Sequence, residues 1–155
     1  LGERSEGALD ISIYPVVKAW GFTTDTYQVP DETLLAQLLT QVDFRQIELD
    51  EAGQRVRLKP GMAIDLGSLA KGYAGDQIMA VFRECGVTSA IINLGGNIQT
   101  LGTKPGGQPW RVAVQAPDGQ TYAGILETAD QAVVTSAGYE RYFEQDGVRY
   151  WLPIR

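Results

Sequence analysis

Apolar residues return every three or four positions in two parts of this chain. Between Asp31 and Val42 they are Leu34, Leu35, Leu38, Leu39 and Val42, the spacing that lines one face of an α-helix. Asp31 stands ahead of them as an N-cap, with Glu32 in the first turn, so the stretch predicts a helix. A second helix is predicted over Ser68 to Cys85. There Ala70, Ala74, Ile78, Val81 and Cys85 form a stripe, Leu69, Tyr73 and Phe82 widen it, and Gly86 is a natural stop. ISIYPVVKAWGF (Ile11 to Phe22) is largely apolar but contains Pro15, which limits it to a short or broken helix.

Elsewhere the period falls to two. FRQIEL (Phe44 to Leu49) and RVRLK (Arg55 to Lys59) alternate around DEAG (Asp50 to Gly53), the pattern of a β-hairpin. MAID (Met62 to Asp65) extends as a further short strand. TSAIIN (Thr88 to Asn93) reads as a buried strand entering the turn LGGN (Leu94 to Asn97). Short β-rich segments follow out to Leu152, with Pro105-Gly106-Gly107 and Pro117-Asp118-Gly119 as turns. There is no repeat and no low-complexity tract. The expected fold is α+β, one domain over residues 1–155 with two principal helices and a largely antiparallel sheet.

Composition removes several function classes. At 155 residues and 44% apolar the chain can bury a globular core. Its net charge is -6, with no run of Lys or Arg, so the footprint of a nucleic-acid binder is missing. The chain has no histidine, which excludes Ser-His-Asp hydrolysis, HExxH metalloproteases and most zinc sites. Cys85 stands alone, cannot form an intrachain disulfide, and is expected as a small buried residue at a helix end. No signal peptide or membrane-spanning run is visible. The opening LGERSEGALD (Leu1 to Asp10) reads as mid-domain sequence, and an upstream natural start is expected.

Candidate chemistry concentrates in DLGSLAKGYAGDQ (Asp65 to Gln77), where a strand gives way to a helix. Unpaired N–H groups at a helix start, with glycines that let oxygens approach, are phosphate-binding chemistry in outline. Lys71 falls in the first turn, where a cation costs roughly 0.3–1 kcal/mol unless an anion is near. Gly72 and Gly75 each cost about 1 kcal/mol relative to alanine inside a helix. The structural alternative stays open: Asp65 or Ser68 caps the helix, Lys71 pairs with Asp65 or Asp76, and the glycines allow close packing. The stretch is neither a P-loop nor GxGxxG. INLGGN (Ile92 to Asn97) either presents backbone N–H groups or is a tight connection. TSAGYERYF (Thr135 to Phe143) carries two hydroxyls before a strand on which Glu140 and Arg141 point to opposite faces and form no pair. Asp10, ahead of an apolar stretch, can be simply an N-cap.

GALD (Gly7 to Asp10), PVVKAWGF (Pro15 to Phe22), DLGSLAKGYAGD (Asp65 to Asp76), INLGGNI (Ile92 to Ile98) and TSAGYERYF occur in that order. Together they resemble the ApbE-type FAD:protein FMN transferases, whose fold is T-fold-like. The resemblance implies binding of FAD with a divalent metal, usually magnesium, and transfer of the FMN moiety to a threonine of an acceptor flavoprotein, releasing AMP. Some members instead hydrolyse FAD. Such chemistry needs fixed N–H donors, a lysine and a metal around the pyrophosphate, and no histidine.

The resemblance implies cofactor-binding roles for Ala8, Leu9, Asp10, Asp65 and Lys71. It implies a metal-facing backbone oxygen at Ser68, and it assigns no catalytic residue. Gly67, Gly72, Gly95 and Gly96 would keep the cofactor wall bare, with Thr135 and Ser136 as further wall residues. Where the family continues into a His-Ile-Ile-Asp-Pro-like segment, this chain reads YWLPIR (Tyr150 to Arg155). The later metal-binding Asp and Thr segment and the upstream flavin contacts are absent. The chain therefore resembles the middle of the family domain, truncated at both ends, with an incomplete metal site. Alternatives are a non-catalytic flavin-binding or structural remnant and an FAD pyrophosphatase. An extracytoplasmic setting, membrane-associated through a lipid anchor outside this chain, is implied by the resemblance only.

Overall fold

The computed structural model describes residues 1–24, 26–136, 138 and 141–152. In chain order its main elements are α1 (Tyr14–Ala19), α2 (Glu32–Leu39), β1 (Glu48–Asp50), β2 (Arg55–Arg57), α3 (Gly67–Glu84), β3 (Ala90–Asn93), β4 (Asn97–Leu101), β5 (Trp110–Gln115), β6 (Tyr122–Thr128), β7 (Ala132–Val134), β8 (Tyr142–Gln145) and β9 (Val148–Trp151). Contacts gather these into two compact units, Leu1–Leu66 with Glu140–Arg155, and Gly67–Tyr139. Every strand pairing among the described residues is antiparallel, as expected for an α+β chain. Among the described residues the strands form four sheets.

In the first unit Pro15 determines how the chain starts. Its fixed φ suits a helix's first turn, so a 3-10 turn at Ile11–Ile13 runs directly into α1. Val16, Val17 and Phe22 are buried. Phe22 joins Tyr27, Phe143, Trp20 and Tyr150 in an aromatic cluster, with Tyr27 and Phe143 stacked at 5.4 Å and Phe143 and Tyr150 at 5.1 Å. The β8–β9 hairpin that brings in Phe143 and Tyr150 turns through Asp146 and Gly147, both at positive φ, as a two-residue primed turn requires. Arg141 adds a bond from Nη2 to the carbonyl of Phe22 at 2.6 Å. The expectation about Glu140 lies outside the described residues.

Helix α2 is capped as read from sequence, the Asp31 carboxylate accepting from the N–H of Leu34 at 2.8 Å. It stops at Leu39, short of Val42, because the last turn tightens and the Thr40 hydroxyl takes the carbonyl of Gln37 at 2.7 Å. The hairpin β1–β2 is present, but its first strand begins at Glu48, not at Phe44. Phe44–Gln46 is a 3-10 turn whose backbone donors are taken by side chains: Asp43 accepts from the N–H of Arg45, and Asp10 from that of Phe44. Such local bonds outcompete a strand ladder. Gln46 also donates to Asp43, which chiefly holds that carboxyl below the usual range. Met62 to Asp65 joins no ladder; instead the N–H of Asp65 donates to the carbonyl of Ile11 at 2.8 Å.

In the second unit α3 lies on a three-stranded sheet of order β3-β4-β7. β3 alternates half-buried and exposed residues, so it is covered on one face and is not the buried strand expected. The face α3 presents to the unit also differs from the expected stripe. Gly75 and Met79 are buried and Gly72, Ile78 and Phe82 half-buried, whereas Ala70, Tyr73, Ala74, Val81 and Cys85 are exposed. At about 100° per residue, Ala70 and Tyr73 lie roughly 140° and 160° around the helix from Gly75. Glycine carries no hydrophobic signal, so a pattern of apolar side chains points to the wrong side, and Cys85 goes with it.

The β5–β6 hairpin is irregular between Val114 and Gln115 and closes through a turn organised by Asp118. That carboxylate accepts from the N–H groups of Gln120 and Thr121 at 2.9 Å each and from the Thr121 hydroxyl at 2.6 Å. The hydroxyl is the main reason that the Asp118 carboxyl lies below its usual range.

Candidate functional site

The GALD segment is held mainly by Asp10. One of its oxygens accepts from the Ser12 N–H at 2.9 Å and the Ser12 hydroxyl at 2.6 Å, and the other accepts from the N–H of Phe44 at 3.0 Å. Ser12 is fully buried. Asp10 is therefore the cap of the 3-10 turn at Ile11–Ile13 and a tie to the turn at Phe44. Ahead of it the N–H groups of Ala8 and Leu9 donate to the carbonyl and hydroxyl of Ser5 at 2.9 and 3.1 Å. Because Asp65 is bonded through its N–H to Ile11, the first unit brings Ala8, Leu9, Asp10 and Asp65 into one neighbourhood.

Ser68 and Lys71 belong to α3 in the second unit, and both are exposed in its first turn and a half. The Lys71 ammonium donates to the carbonyl of Gly95 at 2.8 Å. This links the helix start to the Gly95–Gly96 turn, so two of the motifs singled out in the sequence meet. The turn is a tight two-residue hairpin connection: the N–H of Leu94 donates to the carbonyl of Asn97 at 2.9 Å, and Gly95 and Gly96 have φ of 59° and 85°. Only glycine takes that pair of conformations without cost.

The two glycines inside α3 differ. A Cβ on Gly75 would collide with the amide of Gln99, whose Cδ would lie 2.6 Å away. Gln99 is buried under the helix and donates from Nε2 to the carbonyl of Gly72 at 3.4 Å. Gly75 is thus explained by close packing. A Cβ on Gly72 would meet nothing within 4 Å, so packing does not require that glycine, and the space beside it is open.

Sequence reasoning passed over Asn93, Asn97 and Gln99. Asn97 is 7% exposed and its Oδ1 has no partner among the described residues. Asn93 accepts from the N–H of Gly96 at 2.9 Å. Two asparagines flanking a Gly-Gly pair were the available signal, since asparagine commonly bonds backbone groups near a turn. Thr135 and Ser136 are exposed beyond β7.

For magnesium, Ser68 offers one hard oxygen of the kind that ion prefers. Among the described residues no group of three or more His, Cys, Asp or Glu side chains could hold a metal. Ser68 is one ligand for an octahedral ion, so these residues do not make a magnesium site on their own. No helix among the described residues is long and apolar enough to cross a membrane.

Solved structures define the class. The chain superposes on the crystal structure of an ApbE protein from Thermotoga maritima with a TM-score of 0.86 and 33% identity, covering 97% of this chain and 50% of that one. It matches the apo flavinyl transferase ApbE of Pseudomonas stutzeri with a TM-score of 0.77 and 31% identity, over 96% of this chain and 46% of that one. The ApbE family model matches residues 1–152, and the chain belongs to the ApbE family. Among curated relatives, FAD:protein FMN transferases of Treponema pallidum and Klebsiella pneumoniae are 39% and 40% identical over 96% and 94% of this chain. The chain spans 45% of the length of each.

Proposed function

We propose that this chain supplies the pyrophosphate-facing part of an enzyme that moves the FMN moiety of FAD to a threonine hydroxyl of an acceptor flavoprotein. The threonine oxygen bonds to the FMN-side phosphorus, the phosphoanhydride bond breaks, the hydroxyl proton is lost and AMP leaves. The observation that carries this reading is the Lys71 ammonium, held at the Gly95 carbonyl near the start of α3. A cation there is unfavourable against the helix dipole unless it serves an anion, and relatives of this chain are named FAD:protein FMN transferases.

On this reading the Lys71 ammonium neutralises phosphate charge. Asp65 and Ala8 to Asp10 would contact the nucleotide, as the family resemblance implies, and the backbone oxygen of Ser68 would be one ligand for a magnesium ion. The ion would supply further charge neutralisation at the pyrophosphate. An extracytoplasmic, lipid-anchored setting belongs to the same proposal.

The test incubates the full chain with FAD, magnesium and a threonine-bearing acceptor flavoprotein, then follows bound flavin, AMP and covalent flavin on the acceptor. AMP with covalent FMN supports the proposal. AMP with free FMN makes the chain an FAD pyrophosphatase, FAD binding without AMP makes it a non-catalytic flavin module, and absence of binding sinks the reading.

A further inference from the structure

The carbonyl that receives Lys71 belongs to the same peptide group as the N–H that Asn93 holds. The Gly95 C=O accepts from Lys71 Nζ at 2.8 Å, and the Gly96 N–H donates to Asn93 Oδ1 at 2.9 Å. In a planar trans peptide these two groups point in opposite directions. Fixing the N–H end therefore aims the carbonyl end.

A Gly-Gly pair does not choose that orientation by itself. Types I′ and II′ both connect antiparallel strands tightly, and they differ by a flip of the central peptide. Glycine is at home in either, because it takes positive and negative φ alike. Here Gly96 has φ of 85°, the I′ form, and the register Asn93↔Ile98 places Asn93 one residue before the turn. Its Oδ1 reaches the central N–H only in this form. Flipping the peptide would break both bonds together and turn an N–H toward the ammonium.

We infer that Asn93 is a positioning residue for Lys71: by holding the Gly95–Gly96 peptide in the I′ orientation it presents the Gly95 carbonyl as a fixed seat for the ammonium. One of the three N–H bonds of Lys71 is then used in positioning, and the other two are left to face an anion. Bonds to the two ends of one peptide also strengthen each other by polarisation. The inference rests on the proposed role of Lys71 toward the FAD pyrophosphate, and it explains why asparagine stands beside Gly-Gly.

The test has two arms. In the first, the ligand-free chain is labelled with 15N-lysine and its side-chain ammonium protons are followed by NMR; with only four lysines, Lys18, Lys59, Lys71 and Lys104, assignment by substitution is direct. Lys71 should exchange with water more slowly than the other three. The difference should vanish in Asn93→Ala and survive in Asn93→Asp, which keeps an acceptor for the Gly96 N–H. Unchanged Lys71 exchange in a folded Asn93→Ala chain overturns the inference.

In the second arm FAD affinity is measured by flavin fluorescence across a double-mutant cycle. Asn93→Ala should weaken binding about fivefold, the loss of one aimed hydrogen bond, but by less than about twofold when Lys71 is already alanine. An equal loss in both backgrounds overturns the inference, because Asn93 would then act independently of Lys71. A wild-type chain that binds no FAD refutes the functional proposal instead, and the NMR arm still decides whether Asn93 seats Lys71.

Discussion

Replacing Gly72 and Gly75 separately by alanine should move the stability of this chain in opposite directions. Both lie inside α3, neither has positive φ, and both substitutions carry the same intrinsic helix gain, about 1 kcal/mol. That term cancels in the difference, which leaves packing alone. At Gly72 the new methyl meets nothing within 4 Å, so the full gain of about 1 kcal/mol is expected. At Gly75 the methyl displaces the Gln99 amide, a buried group that also donates to the Gly72 carbonyl. Overpacking of this kind costs typically about 1–3 kcal/mol, and the lost bond adds about 1 kcal/mol. Set against the helix gain, Gly75→Ala should destabilise by about 1–3 kcal/mol, leaving the two variants about 2–4 kcal/mol apart. Urea unfolding followed by far-UV circular dichroism measures the difference. Repeating both substitutions in a Gln99→Ala background should bring them together, because the clashing amide is gone. If Gly75→Ala is as stable as Gly72→Ala with Gln99 present, close packing does not account for Gly75.

Asp10→Ala removes the acceptor of three hydrogen bonds and leaves the hydroxyl of the buried Ser12 unpaired; it should lower stability by about 2 kcal/mol, and an unmoved urea midpoint would refute the capping role. Thr121→Ala removes the main cause of the low Asp118 pKa, so that carboxyl should titrate at higher pH in a 13C NMR titration. The sign follows from the direction of the shift: because the folded pKa is depressed, the turn's contribution is present above the unfolded pKa and is lost as pH falls through the folded one. In Thr121→Ala that loss should begin at higher pH, and an unchanged titration would show that the hydroxyl is not its cause. Cys85 is exposed, so a thiol reagent should modify it in the folded chain nearly as fast as in urea, while strong protection would restore the buried reading.

Much of the local structure follows from short-range chemistry and was legible in the sequence. Asp31 announces α2 because a cap acts within three residues, and Pro15 confines the first helix because its ring fixes one dihedral. The Gly-Gly pair marks the β3–β4 turn, since few other residues take positive φ twice in succession. The phosphate-binding outline of the α3 start is also legible, because it depends on glycines and a lysine close together in the chain. What the sequence did not settle depended on partners far along it. Phe44–Gln46 is a turn and not a strand partly because Asp10, 34 residues earlier, takes a backbone donor. The face of α3 is set by Gln99, which fits only where Gly75 lacks a side chain, and a pattern built on apolar residues has no term for that fit. The Lys71 ammonium bonds the Gly95 carbonyl, 24 residues along the chain. Propensity and capping are properties of neighbouring residues, so the sequence alone determined where elements start and stop; which side chain meets which across the fold depends on closing long loops, and only the tertiary structure decided it.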